Sequence, residues 1–279
     1  MKKGWKKYWI TCAAVSGAGL LLCIIGVLLG GTWDIVQANA PSWISLGQPM
    51  ISVSTTHKVK ETIPPTSTRE TRTFTGIRKI DVEADALDLR IVISDTTNET
   101  IDAINWNNSN YVEFSQDKST LKINTLDSWK TSIDIPEVRL YISSEHFDEI
   151  DIDIHEGYVY IQELRSVEIL DLNVDAGKIV VDNFIASEAE FSCGAGNIQA
   201  VGYCGKEINI ECGTGEIVLD ITENQAAYHY EVECGLGQVN IGNSSFSGNV
   251  KKELHSKNAS KEMQIECGIG NVSVNFTEE

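Results

Sequence analysis

Apolar and polar residues alternate along most of the chain after Phe74. Residues 207–219 read EINIECGTGEIVL, with an apolar residue at every second position on both sides of the glycines. Because successive side chains of a strand point to opposite faces of a sheet, a period of two predicts β-strands. The chain after Phe74 is therefore predicted to be all-β.

The alternation is part of one repeated sequence motif. Glycine occupies the same position in six copies, which are 20, 19, 19, 22 and 33 residues apart. A nearly fixed period is typical of stacked coils that pack only on their neighbours, and it predicts a single-domain parallel β-solenoid. We interpret the two longer steps as loop insertions between coils, with a hairpin or loop at residues 243–252. The six glycines are Gly157, Gly177, Gly196, Gly215, Gly237 and Gly270.

Three columns of the repeat are apolar in every copy. They lie five positions before, two after and four after the glycine, as at Ile210, Ile217 and Leu219. These columns predict stacked aliphatic ladders inside the solenoid. The glycines are predicted to lie at corners, where the chain needs a positive φ. Alternating segments before residue 150 lack the glycine, and we expect them to cap the N-terminal end.

The N-terminal part of the chain follows a different pattern. Residues 1–8 are basic and aromatic, and residues 9–31 are uncharged and rich in Leu, Ile, Val, Ala and Gly. At about 1.5 Å per residue, this run spans a bilayer as one transmembrane helix, and the lysines before it predict a cytoplasmic N-terminus. Residues 32–73 are polar and threonine-rich, typical of a linker. Residues 74–279 then form an extracytoplasmic β-strand-repeat domain.

A cleaved signal peptide is the alternative to this anchor, with a small-x-small cleavage site at Ala38-Asn39-Ala40. The apolar run is longer than a normal signal core, and Pro41 directly after the site is expected to hinder cleavage. We favour an uncleaved, single-pass anchor in the cell membrane. Both interpretations place the rest of the protein outside the cytoplasm.

The charge balance argues against two classes of partner. The chain has 22 basic and 40 acidic residues and a formal net charge of −18. Nucleic-acid binding depends on a basic surface that displaces counterions, and docking on anionic lipid headgroups also needs positive charge. We predict neither. The acidic excess is instead expected to keep an exposed domain soluble.

The segment IPEVRLYI at residues 135–142, the strand at 150–154 and the repeated Gly-x-Gly-x-Ile/Val units resemble a bacterial family. This is the toast-rack family, a putative-adhesin β-strand-repeat domain of unknown function. The resemblance covers about residues 74 to 277. It implies a β-helix-like domain of stacked strands, often attached to a membrane span and related to the C-terminal region of some envelope-stress regulators. It carries over no functional residues.

Four cysteines share the column three positions before the glycine, and this column is in phase with the inward aliphatics. A tetrahedral zinc site needs converging ligands, whereas this column forms a line with about 4.8 Å between coils. Buried thiols are the favoured interpretation. Disulfides between neighbouring coils stay open, because that Cα spacing and an exported location both permit them. The cysteines are Cys193, Cys212, Cys234 and Cys267.

Two columns, six and four positions before the glycine, are mainly acidic and point outward, as at Asp151, Asp153, Asp171, Glu190 and Glu211. Like charges stacked at strand spacing repel each other. Water and salt are sufficient to screen them. The alternative is a surface that binds divalent cations weakly through its carboxylate oxygens.

No constellation in the sequence predicts catalysis. Glycan-cleaving β-helices need clustered carboxylates in a groove, usually with a basic residue nearby. Arg165 is the only arginine in the six repeats, and the nearest candidate group is His155 beside Asp153 and Asp175. The sequence predicts no catalytic, cofactor-binding or metal-binding residues.

We therefore expect a non-enzymatic, membrane-anchored cell-envelope protein that presents a repetitive β surface to a protein or glycan. One alternative is an accessory subunit of envelope-stress signalling that works through its membrane span. The less favoured alternative is a glycan-active β-helix enzyme.

Overall fold

The computed structural model describes residues 71–94, 99–107, 111–125, 135–143, 146–255 and 259–277. These residues form an all-β structure, as the alternating pattern predicts. No helix among them is long and apolar enough to cross a membrane. The predicted segments at residues 1–8 and 9–31, and the linker up to residue 70, lie outside the described residues.

Within the described ranges, eleven strands form one hydrogen-bonded sheet, and one turn of 3₁₀ helix, Gln225–Ala227, precedes the ninth strand. The first strand begins at Thr71, three residues before the predicted domain boundary. The strands are β1 (Thr71–Thr75), β2 (Lys79–Ile93), β3 (Thr100–Asn105), β4 (Val112–Asp117), β5 (Thr120–Thr125), β6 (Glu137–Ile142), β7 (Phe147–Ile161), β8 (Leu164–Ile221), β9 (Tyr228–Ile241), β10 (Ser244–Leu254) and β11 (Lys261–Phe276).

The repeats stack as parallel coils in register. Gly157 in β7 lies opposite Leu87 in β2 on one side and Gly177 in β8 on the other. The 58-residue β8 makes three successive turns, with corners at Gly177, Gly196 and Gly215. Because each coil repeats the same pattern, every position pairs with its equivalent in the next coil. The alternating segments are therefore strands, and the repeats stack as parallel coils, as the sequence predicts.

The inward columns fill one hydrophobic core shared by all the coils. Ile210, Ile217 and Leu219 are at most 1% exposed, and equivalent residues of the other coils are buried in the same way. Burial of apolar surface contributes about 25 cal/mol per Å². The predicted aliphatic ladders are thus confirmed.

The predicted corner glycines form a ladder along the solenoid. Their φ angles lie between +150° and +157°. A Cβ atom on any of the six would lie 1.5–2.0 Å from a backbone oxygen of the adjacent coil. At these corners the neighbouring backbones approach too closely for any side chain, so the repeat requires glycine.

The order of the last coils differs from their order in the chain. β11 pairs with the third turn of β8 on one side and with β9 on the other, so it lies between them. β9 therefore skips one position in the stack, and β10 folds back on it as an antiparallel hairpin strand. The hairpin expected at residues 243–252 is present. The two long steps are not simple loop insertions, because the first spans a skipped position and the second carries β10.

An ion pair holds β11 in this interior position. Lys261 Nζ lies 2.6 and 2.5 Å from the two carboxylate oxygens of Glu223, which belongs to the connection that skips a position. The Tyr228 hydroxyl donates a 2.8 Å hydrogen bond to the same carboxylate. Lys261 Nζ also lies 5.0 Å from the centre of the Tyr203 ring. The Lys261 and Glu223 side chains are only 14% and 28% exposed, so this ion pair is mostly buried.

Different elements close the two ends of the solenoid. At the N-terminal end, β5 pairs with the first half of β2 and β6 with its second half, as expected for capping strands. At the other end, β10 is an edge strand with a register shift at Gly248. Its Lys251 bonds to Glu231 and Glu233 of β9. Bulges and lysines are typical of edges protected against pairing with another chain.

Candidate functional site: the two outward faces of the solenoid

The outward residues that precede the glycines form a surface that we call the acidic face. Its side chains are exposed or half-buried, as the sequence predicts. Neighbouring coils bring their carboxylates together in rows, because the coils are in register. The acidic face comprises Asp81, Glu83, Asp151, Asp153, Asp171, Glu190, Glu211, Glu231, Glu233 and Glu266.

Three carboxyl groups of the acidic face have raised pKa values, whereas the hydrogen bond from Lys251 lowers the pKa of Glu231. Burial, with the nearby charges of Glu190 and Asp151, raises the pKa of Asp171 to about 6. Burial and neighbouring carboxylates also raise the pKa values of Asp151 and Glu211. The ionised form of these groups is therefore less stable in the folded chain than in the unfolded chain.

We expect the substitution Asp171→Asn to stabilise the protein at pH 7 and to have no such effect near pH 4. The pKa of Asp171 is higher in the folded chain than in the unfolded chain. The stability that its protonated carboxyl group contributes is therefore fully present below the unfolded pKa and is lost as pH rises through about 6. The gain at pH 7 is about 1 kcal/mol after allowance for solvent screening. Urea unfolding of both proteins at the two pH values measures it. An equal effect at both would contradict this explanation.

The sequence-predicted histidine group lies on the exposed surface. His155 Nε2 is 4.0 Å from Asp175 Oδ2, and both side chains are more than half exposed. Among the described residues, no three His, Cys, Asp or Glu side chains are grouped so that they could hold a metal ion. The structure thus brings His155 and Asp175 together, but on an exposed surface.

The four cysteines of the repeat form a buried row in the order Cys193, Cys212, Cys267, Cys234. All are free thiols, as is the off-column Cys204. The Sγ atoms of Cys193 and Cys212 donate weak hydrogen bonds of 3.8 and 3.7 Å to glycine carbonyls of the preceding coil. Hydrogen bonds to Cys193 and Cys267, together with burial, raise the pKa of Cys212. The Cys212 thiol therefore stays protonated, and an enclosed thiol of this kind behaves as a small apolar side chain.

The outward residues that follow the glycines form a second surface, the aromatic–amide face. Its N-terminal part, the aromatic end, consists of Arg90, Trp106, Arg139, Tyr158 and Tyr160. Its C-terminal part, the amide end, consists of Gln238, Asn240, Ser245, Asn271, Ser273 and Asn275. Sequence reasoning missed this face, although Tyr158 and Tyr160 after Gly157, and Gln238 and Asn240 after Gly237, carried part of the signal.

The aromatic end is a set of stacked rings and guanidinium groups. The Arg139 guanidinium carbon lies 3.3 Å from the centre of the Trp106 ring. Arg90 lies over Tyr158 and Tyr160, at 5.3 and 5.8 Å from the two ring centres. These contacts hold the long arginine side chains in place, so the surface is ordered before any partner arrives.

Acidic neighbours balance the charge of the aromatic end. Glu137 accepts a 2.9 Å hydrogen bond from Arg139 and lies 3.6 Å from Arg90 Nε. Tyr160 donates a 2.6 Å hydrogen bond to Asp182. Burial, followed by this hydrogen bond, raises the pKa of Tyr160, so the phenol stays protonated. The aromatic end therefore presents rings and hydrogen-bonding groups with little net charge.

The amide end contains no charged residue and is cross-linked by side-chain hydrogen bonds. Gln238 Nε2 donates to Asn240 Oδ1 and to Ser245 Oγ at 3.4 and 3.3 Å. Asn240 Nδ2 donates to Ser273 Oγ of β11 at 3.4 Å. Amides and hydroxyls both donate and accept hydrogen bonds. This surface is therefore suited to ligands that do the same.

Several solved structures are similar to this chain. A putative cell adhesion protein from Clostridium sporogenes is 14% identical, with a TM-score of 0.39, and the match covers 75% of this chain and all of that one. A putative adhesin from Bacteroides fragilis is 15% identical, with a TM-score of 0.41, and the match covers 76% of this chain and 99% of that one. No curated protein matches the chain.

The family comparison agrees with the glycine ladder and the stacked strands. The Toastrack DUF4097 family matches residues 77–279, which is nearly the whole of the described solenoid. This confirms the resemblance noted from the repeated glycine units. The chain belongs to the Toastrack DUF4097 family.

Proposed function

We propose that the protein is a non-enzymatic cell-envelope protein that contacts an envelope protein or glycan through its aromatic–amide face. In this proposal residues 9–31 anchor it in the cell membrane, and the solenoid lies outside the cytoplasm. The observation that carries the proposal is the aromatic end, where ordered arginines stack on Trp106, Tyr158 and Tyr160.

The composition of the aromatic end favours binding of a partner. Trp, Tyr and Arg are enriched among the residues that dominate the energetics of protein interfaces. Trp and Tyr bury large areas with few rotatable bonds and retain a polar group. The same rings offer flat apolar surfaces to the C–H faces of sugars. Glu137 accepts a hydrogen bond from Arg139 and Asp182 accepts one from Tyr160, so these two side chains need little reorganisation on binding.

The acidic face is less suited to be the contact surface. Its like charges repel each other, as the raised pKa values of Asp151, Asp171 and Glu211 indicate. An anionic envelope polymer is repelled by the same charges. The residues that make up the aromatic–amide face include no carboxylate, so this surface repels such a polymer less. We infer that the acidic face points to solvent and keeps the protein soluble.

We expect Tyr158→Ser to weaken binding of the full-length protein to isolated envelope fragments by at least about tenfold. That factor corresponds to about 1.4 kcal/mol, the size of effect expected for one aromatic anchor. Sedimentation of the labelled protein, held in detergent, with a titration of envelope fragments measures the affinity.

The matched control is Ile169→Ser, which removes a 44% exposed apolar side chain from the side of the acidic face. It should leave the affinity unchanged, and both variants must retain the wild-type melting transition. Equal loss in the two variants, or no envelope binding by the wild type, would overturn the proposed contact surface.

A further inference from the structure

A pocket of about 300 Å³ lies where the amide end meets the connection between β8 and β9. Four of the residues that line it are amides, and they come from three separate places in the chain. No residue that lines it carries a charge, although the whole chain has a net charge of −18. The four amides are Asn224, Gln225, Asn243 and Asn275.

Existing hydrogen bonds orient three of these amides. Asn224 Oδ1 accepts a 2.8 Å hydrogen bond from the Ala226 N–H, and its amide nitrogen remains available. Gln225 Nε2 donates to the Tyr230 hydroxyl at 3.0 Å, and its carbonyl oxygen remains available. Asn275 Nδ2 donates to Asp220 at 2.6 Å and likewise keeps its carbonyl oxygen. The pocket thus offers both donors and acceptors in fixed positions.

The other walls of the pocket are Phe276, Thr277 and Gly242. Gly242 has a φ of +52°, and a Cβ atom added there would lie 3.0 Å from Gln225 Oε1. Glycine at this position therefore leaves the Gln225 oxygen open to the pocket. Phe276 is partly buried against the core and adds the only aromatic surface among the lining residues.

We propose that this pocket binds one sugar unit of a neutral saccharide. A sugar offers hydroxyl groups that donate and accept hydrogen bonds at once, as the amides require, and an apolar C–H face for the Phe276 ring. A cationic ligand finds no carboxylate in the lining, and an anionic ligand finds no cation. Asn275 also belongs to the amide end, so a longer saccharide can continue from the pocket across that surface. This inference rests on the proposed contact function and names its ligand class.

The test is calorimetric titration of the full-length protein in detergent with three tetrasaccharides: cellotetraose, the N-acetylglucosamine tetramer and tetragalacturonate. We expect at least one neutral tetramer to bind and tetragalacturonate to bind at least tenfold more weakly. Asn243→Trp places a large ring in the pocket from an exposed residue, and should weaken neutral binding at least tenfold. Asn243 lies in the turn between β9 and β10, and Asn249→Trp, at an exposed position of β10, is the matched control and should leave binding unchanged.

Three results would overturn the inference: no neutral tetramer binds at millimolar concentration, the anionic tetramer binds best, or Asn243→Trp binds like the wild type. The proposed function is tested separately by the envelope fragments. If those fragments retain both the wild type and Asn243→Trp while no tetrasaccharide binds, the proposed contact function is supported. The proposal that the pocket binds a saccharide is then wrong.

Discussion

Replacing Gly215 by alanine is expected to destabilise the solenoid by more than about 4 kcal/mol. The new Cβ atom would lie 1.6 Å from the Gly196 carbonyl oxygen, and φ at this position is +150°. Backbone strain of this kind costs about 1–3 kcal/mol, and the overlap is relieved only if two coils move apart. A loss of this size lowers the melting temperature by about 10 °C or more, which thermal unfolding followed by circular dichroism measures.

Gly205→Ala is the matched control, because a Cβ atom at Gly205 meets no neighbouring atom closer than 3.8 Å. The change there should stay within about 0.5 kcal/mol. If Gly215→Ala melts at the same temperature as Gly205→Ala, the corners of the coils are not packed as closely as the structure indicates.

Replacing Lys261 by methionine is expected to lower the free energy of unfolding by about 2 kcal/mol. The substitution leaves the Glu223 carboxylate, which is 28% exposed, without its cation. Breaking a buried ion pair by removing one partner costs about 3–5 kcal/mol, and the partial exposure here reduces that value. Urea unfolding measures the effect, and β11 should lose protection against hydrogen exchange before the other strands.

A double-mutant cycle separates the ion pair from lost packing. The double variant Lys261→Met with Glu223→Gln should lose less unfolding free energy than the two single variants lose together. The difference, which is the coupling energy, should be about 1 kcal/mol. Lys206→Met removes an exposed pair with Glu188 and should have no measurable effect. Strictly additive single changes would show that this cluster does not hold β11.

Much of the fold follows from local pattern. Alternation fixes the strands, and the aliphatic columns of Ile210, Ile217 and Leu219 fix which side is buried. The glycine column fixes the corners, because only glycine fits the approach between coils. These features repeat in every coil, so each one is supported by several independent copies. The cysteine column alternates in phase with the aliphatic columns, so the inward position of the cysteines also follows from the pattern.

The order of the last coils does not follow from local pattern. β9 and β11 carry nearly the same phrase, and either could pair with the third turn of β8. The Lys261–Glu223 pair favours the observed order, and its members are 38 residues apart and belong to no repeated column. The aromatic end is hidden for a similar reason. Arg139 comes from β6 and Trp106 directly follows β3, both outside the repeat, and only folding brings Arg139 onto Trp106 and next to Arg90.

Hydroxyl-radical footprinting of the full-length protein, alone and bound to envelope fragments, tests the proposed contact surface most directly. Aromatic side chains react readily with the radical, and a bound partner shields them. The proposal predicts that Trp106, Tyr158 and Tyr160 are protected by the envelope, whereas Ile169 and His155 on the opposite side react as before. Protection of Ile169 and His155, with the three aromatic residues unchanged, would contradict it and assign the contact to the acidic face.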